Sequence, residues 1–501
     1  MPETIKALIV IIAMGSLTLT IQSRKLPGII SRNEFRTYFL LWIGVTLTAF
    51  LSHNYWIFIF FTCVIISVFS KKESQNDSFS SYVWLLPLLP MLAKDIPGIG
   101  GVRFIFELDY PRLLSLTILF PLFLNQNDKR KAFLRLPSDK IFAIYLLINI
   151  LISTRNGELT NIIRTNLYLF LDMFLPYYVA SRSFRNSQDF KKVAFVIFAS
   201  TSILASIALF ETLYGWRLYS SLYNSLDIAQ RFSSYSYREG LLRASSTFSS
   251  SIVLGYMLVI GMGMGLAITT ELKKNRQSLF LFSLCGLALL ATLSRGPWVG
   301  CLILFSIYVL LHKNKAKNIK LSFYALFLTI PILIFTSIGQ NIISLLPFSG
   351  GSNEGSISYR KELFEKSWGV IQQHPLLGSN TYLKTPEMLS LMQGQGIIDI
   401  VNSYLRIALN SGLLGVGSFI LFFVSLLFSL YKAQQALNKN DRELHQYAIC
   451  LIATLTSVLF IIATVSSIDI VGHVYWLLAG LASAFLHFLN GRKQNNGIQI
   501  K

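Results

Sequence analysis

Seven arginines lie at the ends of apolar runs or in loops on the side of this chain read as outward-facing. Arg217, Arg231, Arg238 and Arg243 lie between residues 215 and 246, Arg295 lies in TLSRGPWVG, Arg360 in SISYRKELFEKSWGVIQQ, and Arg406 in VNSYLRIALNSGLLG. A guanidinium stays charged at every relevant pH, and its planar donors match phosphate oxygens two at a time, so such a set suits a phosphate-bearing ligand. Asn402 and Arg406, four residues apart, share one helix face, while Gly412 and Gly415 give a neighbouring helix room to approach. Asp399 and Glu239 are the carboxylates that could take a proton from a substrate hydroxyl, which requires an approach to about 3 Å. Plainer roles compete: Asp399 as an ion-pair partner for Arg406, and Arg295 as an interfacial arginine beside Trp298. Asp172, in LYLFLDMFLPYY, reads as mid-span, either a proton-relay or substrate group or a buried acid bonded to Tyr, Ser or Arg. His53, His374 and His473 read as rim histidines. No phosphate loop with its lysine, dinucleotide glycine fingerprint or metal-spaced histidine pair occurs, so neither ATP hydrolysis nor metal catalysis is supported.

The elements that position these residues are membrane helices. Hydrophobic residues make up 53% of the chain and charged ones 14%, against about 25% charged in soluble domains. Continuous Leu/Ile/Phe-rich runs of helical-span length, roughly 20 residues, exclude an alternating β-barrel. Spans are expected near 7–21, 37–51, 55–70, 80–93, 113–124, 141–153, 165–180, 193–214, 248–270, 279–293, 298–311, 321–338, 402–431, 447–465 and 470–489. Those at 80–93, 113–124 and 141–153 are weak enough to be re-entrant, which leaves about 12 to 15 spans. The fold class expected is all-α, a polytopic integral membrane protein forming a single membrane domain over 1–501. The net charge of +20 collects in one set of alternating loops. That set is therefore cytoplasmic, the C-terminus with it, and nucleic acid is not implied. The same alternation puts residue 1 outside.

Two opposite-side loops, 215–246 and 340–400, are much longer than ordinary connections of about 4 to 6 residues, so the chemistry should face outward. Within the second, Tyr359, Leu363, Trp368 and Ile371 recur near helical spacing over 356–373, an amphipathic helix suited to the membrane face, and HPLLGSN ends it. The cysteines, Cys63, Cys285, Cys301 and Cys450, lie in apolar runs without paired spacing, so neither disulfide nor zinc site is expected. The first apolar run lacks a cleavage motif and reads as a retained span.

TLSRGPWVG, a large external loop, HPLLGSN, then VNSYLRIALNSGLLG and a final pair of spans together resemble the O-antigen ligase and polymerase superfamily of bacterial envelope polysaccharide synthesis. The resemblance is concentrated in 279–430, including the external loop 339–401. Ligases of this family carry His-Asn, nine residues, then Gly-x-x-Gly. Here Asn402, nine residues and Gly412-Leu-Leu-Gly415 fit, but Val401 replaces the histidine, which favours the polymerase branch. The resemblance implies that Arg295 and Arg360 contact the diphosphate of a polyprenyl-linked sugar donor, and Arg406 is expected to join them in stabilising it. On this reading Asn402 and Tyr404 are expected to position sugar hydroxyls or the phosphate, and Arg238, Arg243, Tyr359 and His374 to bind substrate. The implied protein is a polymerase of undecaprenyl-diphosphate-linked oligosaccharides in the bacterial cytoplasmic (inner) membrane. It would need no cofactor and would work beside a flippase and a chain-length regulator. A ligase, a multi-span solute transporter and a non-catalytic scaffold are the competing readings.

Overall fold

The computed structural model describes residues 2–23, 29–70, 75–98, 100–125, 133–134, 136–184, 186–228, 235–238, 240–269, 276–312, 354–393, 396–438 and 441–495. The expected span at 321–338, Arg231 and Glu239 lie outside them. The protein is an all-α polytopic membrane protein. Among the described residues, five helices are long and apolar enough to cross a bilayer: Glu3–Ser23, Ser187–Tyr214, Ser403–Ala436, Arg442–Ile462 and Val471–Arg492. Five shorter apolar helices join them, Tyr55–Phe69, Tyr110–Leu124, Ser251–Ala267, Gln277–Ala291 and Arg295–Leu311. Further expected spans fold as the helices Arg32–Leu51, Gln75–Leu88 and Pro137–Ser153.

Ser187–Tyr214 is the central post. It is apolar all round and buried along most of its length, the pattern of a helix enclosed by others. Asn186 caps its start by accepting from Asp189 N–H, and Gly215, in the left-handed region at φ 62°, ends it.

The two ends of the bundle differ chemically. At one end Lys192 bridges Glu34 and Asp77, Lys191 pairs with Glu443, and Arg182 with Asp139 at 2.5 Å. The opposite end gathers the first long loop, the turns at 292–294 and 463–470, and the helix Glu354–Gln373. Glu3 lies there as well, since its carboxylate accepts from the Trp216 indole at 2.9 Å.

Several expected boundaries shift. The span placed at 80–93 ends as a helix at Leu88, and the chain then forms an antiparallel hairpin, Ala93–Pro97 with Phe104–Asp109. Asp109 starts the next helix by accepting from Arg112 N–H, with Pro111 in the first turn where no amide is needed. π-helical turns at Ser115–Leu119 and Leu169–Phe174 interrupt the regions expected as plain spans.

Candidate functional site

The first long loop is fixed by a buried carboxylate that the sequence reading passed over. Glu211 accepts from the amides of Leu218, Ser245 and Ser246 at 3.1, 3.0 and 2.9 Å, pinning both ends of the loop to the central helix. This anchoring delivers Arg238 and Arg243 to the 292–294 turn. Arg238 donates to Leu293 O at 2.7 Å, and Arg243 donates to Thr292 O at 3.3 Å and Ser294 Oγ at 2.8 Å. Leu293, at φ 46°, makes the turn. The turn therefore precedes Arg295, and Gly296 and Pro297 lie in the first turn of the next helix. Gly296 is needed there because a Cβ would sit 2.2 Å from the Thr464 hydroxyl.

The helix Glu354–Gln373 brings in the second loop. It buries Leu363, Ser367, Val370 and Ile371 against Met388, Leu391, Ile400 and Leu409. Trp368, expected on that face, instead stacks with Phe364 on the outer surface. Tyr359 donates to Asp399 O at 2.9 Å, and Arg360 donates to Thr464 O at 3.4 Å.

Together these segments line a cavity of about 530 Å³, walled by Arg238, Arg243, Arg295, Arg360, Tyr359 and Asp399, with Val401 also on it. Among the described residues its charged lining is four guanidiniums and one carboxylate. Burial, reinforced by Arg238, pushes Arg243 down to about 10, and burial and Arg295 likewise lower Arg360. Asp399 accepts from Ser466 Oγ at 2.8 Å.

Arg406 does not line this cavity. It belongs to a neighbouring one of about 310 Å³, with Arg112, Asp172, Asp469 and His473, and donates to Ser467 O at 3.5 Å. Asp172 there is a paired acid, with Arg112 at 2.8 Å and His473 at 3.3 Å. Asn402 is the N-cap of the helix Ser403–Ala436, accepting from the amides of Tyr404 and Leu405, and the Tyr404 hydroxyl donates to Leu459 O. Both polar groups are thus engaged by backbone. His374 is exposed at the end of its helix and on neither cavity.

Gly412 breaks that helix at φ 63°, ψ −165°. What approaches it is loop backbone, not a neighbouring helix: a Cβ there would lie 2.3 Å from Leu376 C and O. The amides of Leu413 and Leu414, freed by the break, donate to Pro375 O and Leu376 O at 2.7 and 3.2 Å, and Arg155 clamps Gly378 O and Asn410 O. Gly415 faces Ser411 of its own helix. HPLLGSN and GLLG are therefore two halves of one joint.

The family described as O-Antigen ligase matches residues 280–420. An O-antigen polymerase of Salmonella muenchen is 20% identical over 331 residues, covering 65% of this chain and 81% of the relative. Together with the residue pattern around the arginine cavity, these matches support a likeness to the O-antigen ligase and polymerase superfamily.

Proposed function

We propose that this protein is a polysaccharide polymerase acting at the outer face of the cytoplasmic membrane, where it joins oligosaccharide repeat units carried on undecaprenyl diphosphate. The observation that carries the reading is the convergence of Arg238, Arg243, Arg295 and Arg360, from three separate segments, on one cavity whose described lining includes the carboxylate of Asp399. Such a cavity suits a diphosphate that gains negative charge as it leaves, and donors fixed in advance at that centre are often the largest catalytic contribution.

In the proposed step an acceptor hydroxyl oxygen bonds to the donor's anomeric carbon. The bond from that carbon to the phosphate oxygen breaks, the lipid diphosphate keeps the electron pair, and the hydroxyl proton passes to Asp399. Tyr359 and Ser466 hold Asp399 in place. The energy resides in the sugar-diphosphate bond, so the step calls for neither nucleotide nor metal. The polyprenyl tail would lie between helices facing lipid, and a flippase and a chain-length regulator are the partners such a reaction calls for.

A ligase, attaching finished polymer to another acceptor, is the second reading, favoured by the description of the matching family. Against it, Val401 puts an isopropyl group on the cavity where the ligase histidine is expected. Deleting the protein should leave single lipid-linked repeat units, whereas loss of a ligase leaves unattached long chains. Arg295→Ala and Arg360→Ala should each lower polymer formation by about 100-fold or more while the protein still inserts. Full-length polysaccharide from both variants would overturn the reading.

A further inference from the structure

The second cavity shares two walls with the first. Ile252 and Thr464 border the arginine cavity, while Ser249 and the segment Ser467–Asp469 border its neighbour. One turn at the start of the helix Ser251–Ala267 and one short loop thus separate them. Hydrogen bonds tie this partition together: Ser467 Oγ to Ser403 Oγ at 2.8 Å, Ser466 Oγ to Asp399, and Ser249 N–H and Oγ to Asp469.

The two linings are opposite in charge. Four carboxylates, Glu107, Asp109, Asp172 and Asp469, line the second cavity with two guanidiniums, Arg112 and Arg406. The Tyr223 and Ser249 hydroxyls and the His473 ring join them. That excess of carboxylate repels a diphosphate. Its mixture of carboxylate acceptors, guanidinium donors and hydroxyls matches groups that donate and accept at once, as sugar hydroxyls do. Its volume reaches the lower end of the range for small-ligand sites, about 300 to 1,000 Å³.

We propose that this second cavity seats the acceptor saccharide, the uncharged polyhydroxylated end of a repeat unit, and presents its hydroxyl across the Thr464–Asp469 partition to the donor held by the arginines. The proposal rests on the polymerase reading and extends it. A chain-joining enzyme must hold two sugars at once, and only the donor brings its diphosphate to the reacting centre. Asp399 lines the arginine cavity and is bonded to Ser466 of the partition.

Gly472 supplies the test, because it lines the cavity and a Cβ there meets nothing nearer than 4.0 Å. Gly472→Leu therefore adds bulk to the cavity from a position where its Cβ clashes with nothing. The full-length protein is reconstituted in nanodiscs and probed separately with two molecules. One is the free repeat-unit oligosaccharide, released by mild acid from the lipid-linked unit that accumulates without this protein, and the other is undecaprenyl diphosphate.

Gly472→Leu is expected to weaken oligosaccharide binding at least tenfold and leave undecaprenyl diphosphate within twofold of wild type, with Arg295→Ala showing the reverse. Should Gly472→Leu fail to fold, Asp469→Asn, nearly isosteric, should weaken the oligosaccharide about threefold or more with the diphosphate lipid unaffected. Wild-type oligosaccharide binding in the folded variant, or its loss in Arg295→Ala, would overturn the proposal. Diphosphate-lipid binding indifferent to Arg295→Ala would instead strike the polymerase reading, leaving the saccharide site to be judged on the oligosaccharide alone.

Discussion

Arg243 and Arg360 sit in a cavity where positive charge is crowded. A guanidinium does not lose its proton in practice, so their lowered pKa values measure repulsion and burial that a bound anion would relieve. Geometry should matter as much as charge. Arg295→Lys keeps the charge but not the planar fork, and is expected to lose about tenfold in polymer formation against about 100-fold for Arg295→Ala, read as polymer per inserted protein. Asp399→Asn should lower turnover about 100-fold with undecaprenyl diphosphate binding unchanged, as loss of a proton acceptor requires.

Asp469 gives a pH signature. Burial raises its carboxyl to about 6, above its unfolded value near 4, so ionisation opposes folding. The stability of the protonated form is fully present below about pH 4 and lost as pH rises through about 6. Thermal unfolding in detergent should show a slope between those values that Asp469→Asn flattens. The arginines were legible because a charge at the rim of an apolar run is rarely idle. Glu107, Asp109 and Arg112 were passed over, since a short hairpin between helices leaves little pattern, although Asp109 and Pro111 before an apolar run are a helix-start signal that could have exposed them.

At the scale of elements, the helix Ser403–Ala436 is held in its broken form by the segment 375–378. Positive φ with ψ near 180° is close to glycine-only territory, and Gly412 has backbone packed against it besides. Gly412→Ala should therefore destabilise the protein by about 3 kcal/mol or more, seen as a lower unfolding midpoint or loss from the membrane. Gly417→Ala, where added bulk meets nothing, should be neutral or slightly stabilising. Hydropathy made this helix legible as one apolar run but could not reveal the break, because the broken amides find partners more than 35 residues away in sequence, in Pro375 and Leu376. The loop helix was legible from its periodicity, yet Trp368 turned outward because Ser367 and Val370 fill the inner face.

For the molecule as a whole, polarity of the bundle is the organising fact. Ion pairs of lysine and arginine with acids close one end, and the arginine cavity opens at the other with Glu3 beside Trp216. A tag on the N-terminus should accordingly be reached by a membrane-impermeant reagent from the same side as one placed in the first long loop. The central claim is that the cavity lined by Arg238, Arg243, Arg295 and Arg360 holds the lipid diphosphate. Titrating undecaprenyl diphosphate into nanodisc-reconstituted wild type, Arg295→Ala and Arg360→Ala at several salt concentrations tests it most directly. Each variant should bind at least tenfold more weakly and with a shallower salt dependence, and wild-type affinity in both would contradict a diphosphate site in this cavity.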